Sequence, residues 1–185
     1  MNCALKLLLT PPDILPPLDL GFRPIATGNR AYQAAVRASK KKLPLAIALE
    51  RESGAVSRYE TEILPPEGDH AADTLHFVER LVKFLLWQYG GWRVTVGGPR
   101  AIGDPIKNIY AASGPRAFDC RFMGPVYQKG FVVEAADCQD VPAARELPVV
   151  LGGHLDGCRI GFDLGASDYK IAAVVDGEAV FTEEI

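Results

Sequence analysis

Five residues near the C-terminus have the types and spacing of an anion site. Asp163 ends a β-type run that starts at Arg159, Leu164–Asp168 is a tight loop of mostly small residues, and Lys170 lies just inside the next β-type run, Tyr169–Val175. Small residues let backbone N–H groups approach an anion without a bulky side chain in the way, so Gly165 and Ala166 mark the closest approach and Ser167 adds a hydroxyl donor. A carboxylate at the strand end, Asp163, suits a hydrated Mg²⁺, and the Lys170 ammonium would offset phosphate charge. No residue is assigned as a catalytic acid, base or nucleophile.

Other chemistry-bearing residues are more dispersed. The four cysteines, Cys3, Cys120, Cys138 and Cys158, form no CxxC pair or zinc spacing, and read as free, buried thiols of a reducing compartment. His70, His76 and His154 are equally isolated. Asp119, Glu134, Asp137 and Asp140 could supply an acid–base pair but read more simply as surface groups. Gly97-Gly98-Pro99-Arg100 follows a strand as an anion loop would, yet no helix start is evident after it, so it reads as a turn. Trp87, Tyr89 and Trp92 bracket a helix end; packing of that helix onto a sheet is the plain reading and a sugar-stacking platform the sharper one.

The C-terminal 28 residues, Cys158 to Ile185, resemble the first phosphate loop of the actin-like ATPase superfamily, and more narrowly that of the ROK family of sugar kinases and repressors. The family pattern is a strand, Asp-x-Gly-Gly-Thr-x-x-Lys, and a second strand with a following Asp-Gly turn. Asp163, Gly165 and Lys170 match, Ser167 keeps the threonine hydroxyl, Asp176-Gly177 supplies the turn, and Ala166 replaces the second glycine. The resemblance implies ATP and Mg²⁺ as cofactors, Gly165, Ala166, Ser167 and Lys170 as nucleotide contacts, Asp163 as the metal residue, and a sugar as substrate of a cytoplasmic full-length parent. The family's second phosphate loop, adenine pocket, Asn-Asp pair and Cys/His zinc cluster have no counterpart. The expectation is therefore the N-terminal portion of a ROK-like ATP-dependent carbohydrate kinase, truncated after its opening meander and inactive alone. The alternative is a noncatalytic regulatory or interaction domain.

These residues need elements to hold them. Residues 1–28 carry five prolines among leucines and read as an extended, packed arm. A short helix is expected over Asn29–Lys41, capped by Thr27 or Asn29, with Lys40 to Lys42 as its solvated basic end. Leu45–Glu50 and Val56–Ile63 read as a hairpin around Glu52-Ser53-Gly54. Leu75, Val78, Leu81, Val82, Leu85 and Leu86 predict a helix over about 69–89 that Gly90-Gly91 ends. Trp92–Val96 reads as a strand, Gly97–Pro105 as a loop, Ile106–Ala112 and Arg116–Tyr127 as helices, and Phe131–Ala135 as a strand. The fold class is α/β, a mixed sheet with covering helices, followed by the first β-meander of an actin-like ATPase domain at 157–185. Residues 1–42 would be arm and short helix and 43–150 an accessory α/β domain, with the boundary in 138–156. The order of elements in 43–150 is also open to reading as a degenerate actin-like or RNase H-like lobe. A repressor's helix-turn-helix spacing is absent.

Composition sets the outer limits. The 185 residues are 48% hydrophobic, with 20 Lys+Arg against 23 Asp+Glu and a formal charge of −3, the balance of an ordinary globular chain. The acidic pI of about 5.6 offers no field for a polyanion, so no nucleic-acid partner is expected. No run approaches the roughly 18 apolar residues of a membrane span, and Pro11-Pro12 cut short the only apolar start a leader would need. After the Asp176-Gly177 turn a third strand is expected over Glu178–Glu183, and the unpaired edge of this terminal strand, in a chain that ends Phe181-Thr-Glu-Glu-Ile, predicts a homodimer or poor solubility of an isolated chain.

Overall fold

A computed structural model describes residues 5–146 and 153–185; Cys3, and the stretch 147–152 in which the sequence ends the accessory domain, lie outside the described residues. The chain divides into two compact units, Met1–Glu146 and Leu147–Ile185. The architecture is mixed α/β, with a four-stranded mixed sheet in the first unit and a separate three-stranded antiparallel sheet in the second.

In the first unit, β1 (Leu43–Glu50) and β2 (Val56–Ile63) form the expected hairpin, with Leu43 opposite Ile63 and Glu50 opposite Val56. Ser53 and Gly54 take positive φ in its loop, which is cheap for glycine and uncommon for serine. Sheet order is β2-β1-β3-β4, with β3 (Arg93–Gly97) antiparallel to β1 and parallel to β4 (Val132–Ala136). Leu45, Ile47 and Leu49 of β1 alternate onto one face with Val94 and Val96, where α2 (Ala71–Tyr89) packs Val78, Val82, Leu85 and Leu86. That is the helical stripe read from the sequence, and Gly90 at φ +72 ends it. The opposite face presents the small Ala46 and Ala48 together with Val56, against which Val141 and Cys138 pack.

Three expectations need correction. α1 runs over Ile25–Ala38, not 29–41; Pro24 precedes it with φ −65 and no side chain caps it, so proline's fixed backbone starts the helix where Thr27 or Asn29 was expected to. Gly97–Pro105 is not a loop, because α3 begins at Arg100 and continues to Ile109. Gly103 is inside it: a Cβ there would sit 2.7 Å from the Ala135 Cβ, so this glycine permits close helix–sheet contact rather than a turn. α4 follows at Ala117–Val126. Third, the proline-rich arm packs only at its start. Leu8 is buried and Gly28, where a Cβ would overlap the Leu8 carbonyl, lets the arm cross α1. Ile14, Leu18, Leu20 and Phe22 are exposed.

The second unit is a plain meander of β5 (Cys158–Leu164), β6 (Tyr169–Val175) and β7 (Glu178–Glu184). Asp176 and Gly177, both at positive φ, make the tight turn between β6 and β7 that an Asp-Gly pair favours.

Candidate functional site

The loop of interest joins β5 to β6. Antiparallel pairing sets Leu164 opposite Tyr169 and Asp163 opposite Lys170, so the carboxylate and the ammonium occupy neighbouring positions on the same face. β7 extends the row: Glu184 is the partner of Lys170, with its Oε1 3.6 Å from Lys170 Nζ. Asp163, Lys170 and Glu184 thus cross three strands as acid, base, acid. Gly161, Ala172 and Thr182 lie beside them, and all six line a concavity of about 510 Å³.

Within the loop, Gly165, Ala166 and Ser167 are exposed, and Asp168 is half-buried. A Cβ on Gly165 would lie 2.6 Å from Asp168 Oδ1 and 2.8 Å from the Asp168 carbonyl oxygen, so the loop closes on itself at this point and only glycine fits. Ala166 stands one residue further on, at the bend. The structure thus brings together Asp163, Gly165, Ala166, Ser167 and Lys170 in one turn of chain.

These residues suit the groups that the resemblance implies. Mg²⁺ usually keeps several waters and takes one or two carboxylates plus substrate phosphate oxygens, and one exposed carboxylate, Asp163, stands across the ladder from one exposed ammonium, Lys170. Among the described residues no group of three or more His, Cys, Asp or Glu side chains could hold a metal by itself, so any ion here would depend on water or phosphate for most of its shell.

The remaining sequence candidates have other places. Asp119 is a correction: far from being a surface group, it is 1% exposed. It accepts from Trp87 Nε1 at 2.7 Å and pairs with Lys83, whose ammonium also lies over the Trp87 ring. Beside it Glu79 pairs with Arg116, and the buried Tyr110 hydroxyl donates to the Glu79 carbonyl oxygen at 3.4 Å. Burial first, and then the Glu79 charge, hold the Tyr110 phenol well above its ordinary range, while the Glu79 hydrogen bond raises the Arg116 guanidinium. Burial likewise raises Tyr32, which donates to Thr74 Oγ1 at 2.9 Å and accepts from Leu64 N–H at 3.1 Å. Every one of these groups is satisfied by a neighbour; Glu79, Lys83 and Trp87 with Arg116 and Asp119 tie α2 to the start of α4, and Tyr32 with Thr74 ties α1 to α2. The sequence signal of the α2–α4 tie was Glu79 and Lys83, four residues apart inside an apolar stripe.

Trp87 stacks on Phe118 and Phe122 of α4 rather than packing α2 onto the sheet. Trp92 donates to the Arg51 carbonyl oxygen, and the Arg93 and Lys129 cations lie 4.5 and 4.3 Å from its ring centroid. Cys120 and Cys138 are partly buried free thiols, whereas Cys158 is exposed on β5 and departs from the buried reading. Asp73, which the sequence did not single out, accepts backbone N–H bonds from Lys6, Leu7 and Leu8 at 3.0 to 3.1 Å and anchors the arm. The helix that begins at Arg100 supplies the start that the Gly97–Arg100 segment was read as lacking. No helix among the described residues is long and apolar enough to cross a membrane. In comparison with known proteins, no family model, no curated protein and no solved structure matches the chain.

Proposed function

We propose that residues 158–185 form a nucleotide-phosphate loop of the ROK type and that the chain is the N-terminal portion of an ATP-dependent carbohydrate kinase of the cytoplasm. The observation that carries the reading is the direct opposition of Asp163 and Lys170 across the β5–β6 ladder, with Gly165 closing the loop between them. On this reading Asp163 holds hydrated Mg²⁺, Lys170 and the Ser167 hydroxyl face the phosphates, and the N–H groups of Gly165 to Asp168 line the anion. Mg-ATP, when bound, supplies the transferable phosphoryl group. Phosphoryl transfer to a sugar further requires a positioned base and an in-line acceptor, and the resemblance assigns neither to any residue of this chain, so binding without turnover is expected. The reading of 43–150 as a degenerate lobe of the same superfamily rests on element order alone and is no part of this support.

A second reading has one observation in its favour. Glu184 already pairs with Lys170, as it would in a meander that serves a noncatalytic regulatory domain. Titration calorimetry with Mg-ATP separates the two. The kinase reading predicts binding that Asp163→Ala and Lys170→Ala each weaken by about tenfold or more, the size of one charge-assisted hydrogen bond. Absence of binding at millimolar nucleotide supports the regulatory reading.

A further inference from the structure

We propose that β5 is a self-complementary edge through which two copies of this chain pair into a continuous six-stranded sheet. β5 is bonded only to β6, so its other edge is unpaired within the second unit. The Asp176 N–H donates to the Gly157 carbonyl oxygen at 3.0 Å. Backbone groups alternate along an antiparallel strand, so Gly157, Arg159, Gly161 and Asp163 turn theirs toward β6, while Cys158, Ile160, Phe162 and Leu164 turn theirs outward. A two-fold axis at Gly161 satisfies that outward row: Ile160 bonds to Phe162 of the second copy, and Cys158 to its Leu164.

The side chains agree with this register. Arg159 falls opposite the second copy's Asp163, and Asp163 opposite its Arg159, both at the closer, non-hydrogen-bonded type of position where side chains meet best. Neither residue has an ion-pair partner within 4.0 Å among the described residues, and both are exposed; Arg159 Nη1 donates to the Cys158 carbonyl oxygen at 3.0 Å, a contact it exchanges for Asp163 of the second copy. On the other face Ile160 meets Phe162; these are 69% and 68% exposed in the single chain. Gly161 lies on the axis, where the two backbones come closest and no side chain intervenes. The opposite edge of the sheet has the reverse character. β7 carries Glu178, Glu183 and Glu184 and no basic residue, so two copies of it repel. Of the two edges, only β5 suits a copy of itself, and its isologous pairing closes at a dimer instead of growing into a fibre. The inference does not rest on the nucleotide reading, and Asp163 has two oxygens.

Sedimentation equilibrium of the full chain without nucleotide, from micromolar to millimolar concentration, tests it, with circular dichroism to verify that each variant is folded. The wild type is expected to form a concentration-dependent dimer. Arg159→Asp and Asp163→Arg each set like charges opposite one another twice, and each alone is expected to weaken association by about tenfold or more. An equimolar mixture of the two variants restores both attractions and is expected to recover the dimer as a heterodimer. A monomeric wild type, a dimer indifferent to either substitution (as packing through the apolar sheet face would give), or a mixture that does not recover would each overturn the proposal.

Discussion

Lys170 lies opposite Asp163 on one neighbouring strand and pairs with Glu184 on the other, and the loop before it carries Ala166 where the ROK-type pattern has glycine. On the nucleotide reading, the methyl group restricts φ at the point where the backbone would approach the phosphates most closely. Ala166→Gly should therefore tighten Mg-ATP binding, by up to about tenfold if one further backbone N–H reaches the phosphates, as calorimetry would show. Asp119 offers a contrasting case, a carboxylate with a structural duty. Asp119→Ala removes the acceptor of both Lys83 and Trp87, but Lys83 keeps access to water, its side chain being 25% exposed. A loss of about 1–3 kcal/mol in urea unfolding is expected, with no change in nucleotide binding. The loop residues were legible because their chemistry is local: aspartate, glycine, serine and lysine lie within eight positions. Asp119 was not, since its partners come from α2, more than thirty residues away.

Most element types followed the local patterning of the sequence. Val78, Val82, Leu85 and Leu86 are a helical stripe, Leu45, Ile47 and Leu49 alternate into the core, and the three terminal strands end within a residue or so of their expected limits. The misreading of α3 has a physical source. Gly103 and Pro105 look like punctuation, yet Ile102 and Ile106 bury against the sheet and Gly103 allows the helix to approach β4. Gly103→Val should accordingly cost about 1–3 kcal/mol through overpacking against Ala135, measurable as a lower denaturation midpoint. The arm is a similar case. Its attachment depends on Asp73, some sixty-five residues from Lys6 to Leu8, and no local pattern announces such a bond. Asp73→Ala should leave those three amides without their acceptor, and amide exchange at Lys6, Leu7 and Leu8 should quicken while exchange in β1 and β3 is unchanged.

At the scale of the molecule, the two units differ in kind. Every buried apolar side chain of the described residues lies between Leu8 and Val141, whereas the second unit exposes Ile160, Phe162, Leu164 and Val180. The first unit has a core of its own, so a chain ending at Glu146 should melt within about 3 °C of the full-length midpoint. The proposed function and the proposed dimer both fall on the second unit, whose strands carry exposed apolar side chains and an open edge. The reading of that unit as a phosphate loop is tested most directly by heteronuclear NMR of the full chain, following backbone amides as Mg-ATP is added. The prediction is saturable shifts at millimolar or lower nucleotide, centred on Gly165 to Asp168 and Lys170, and lost in Asp163→Ala. An unchanged spectrum, or shifts confined to residues 5–146, would contradict it.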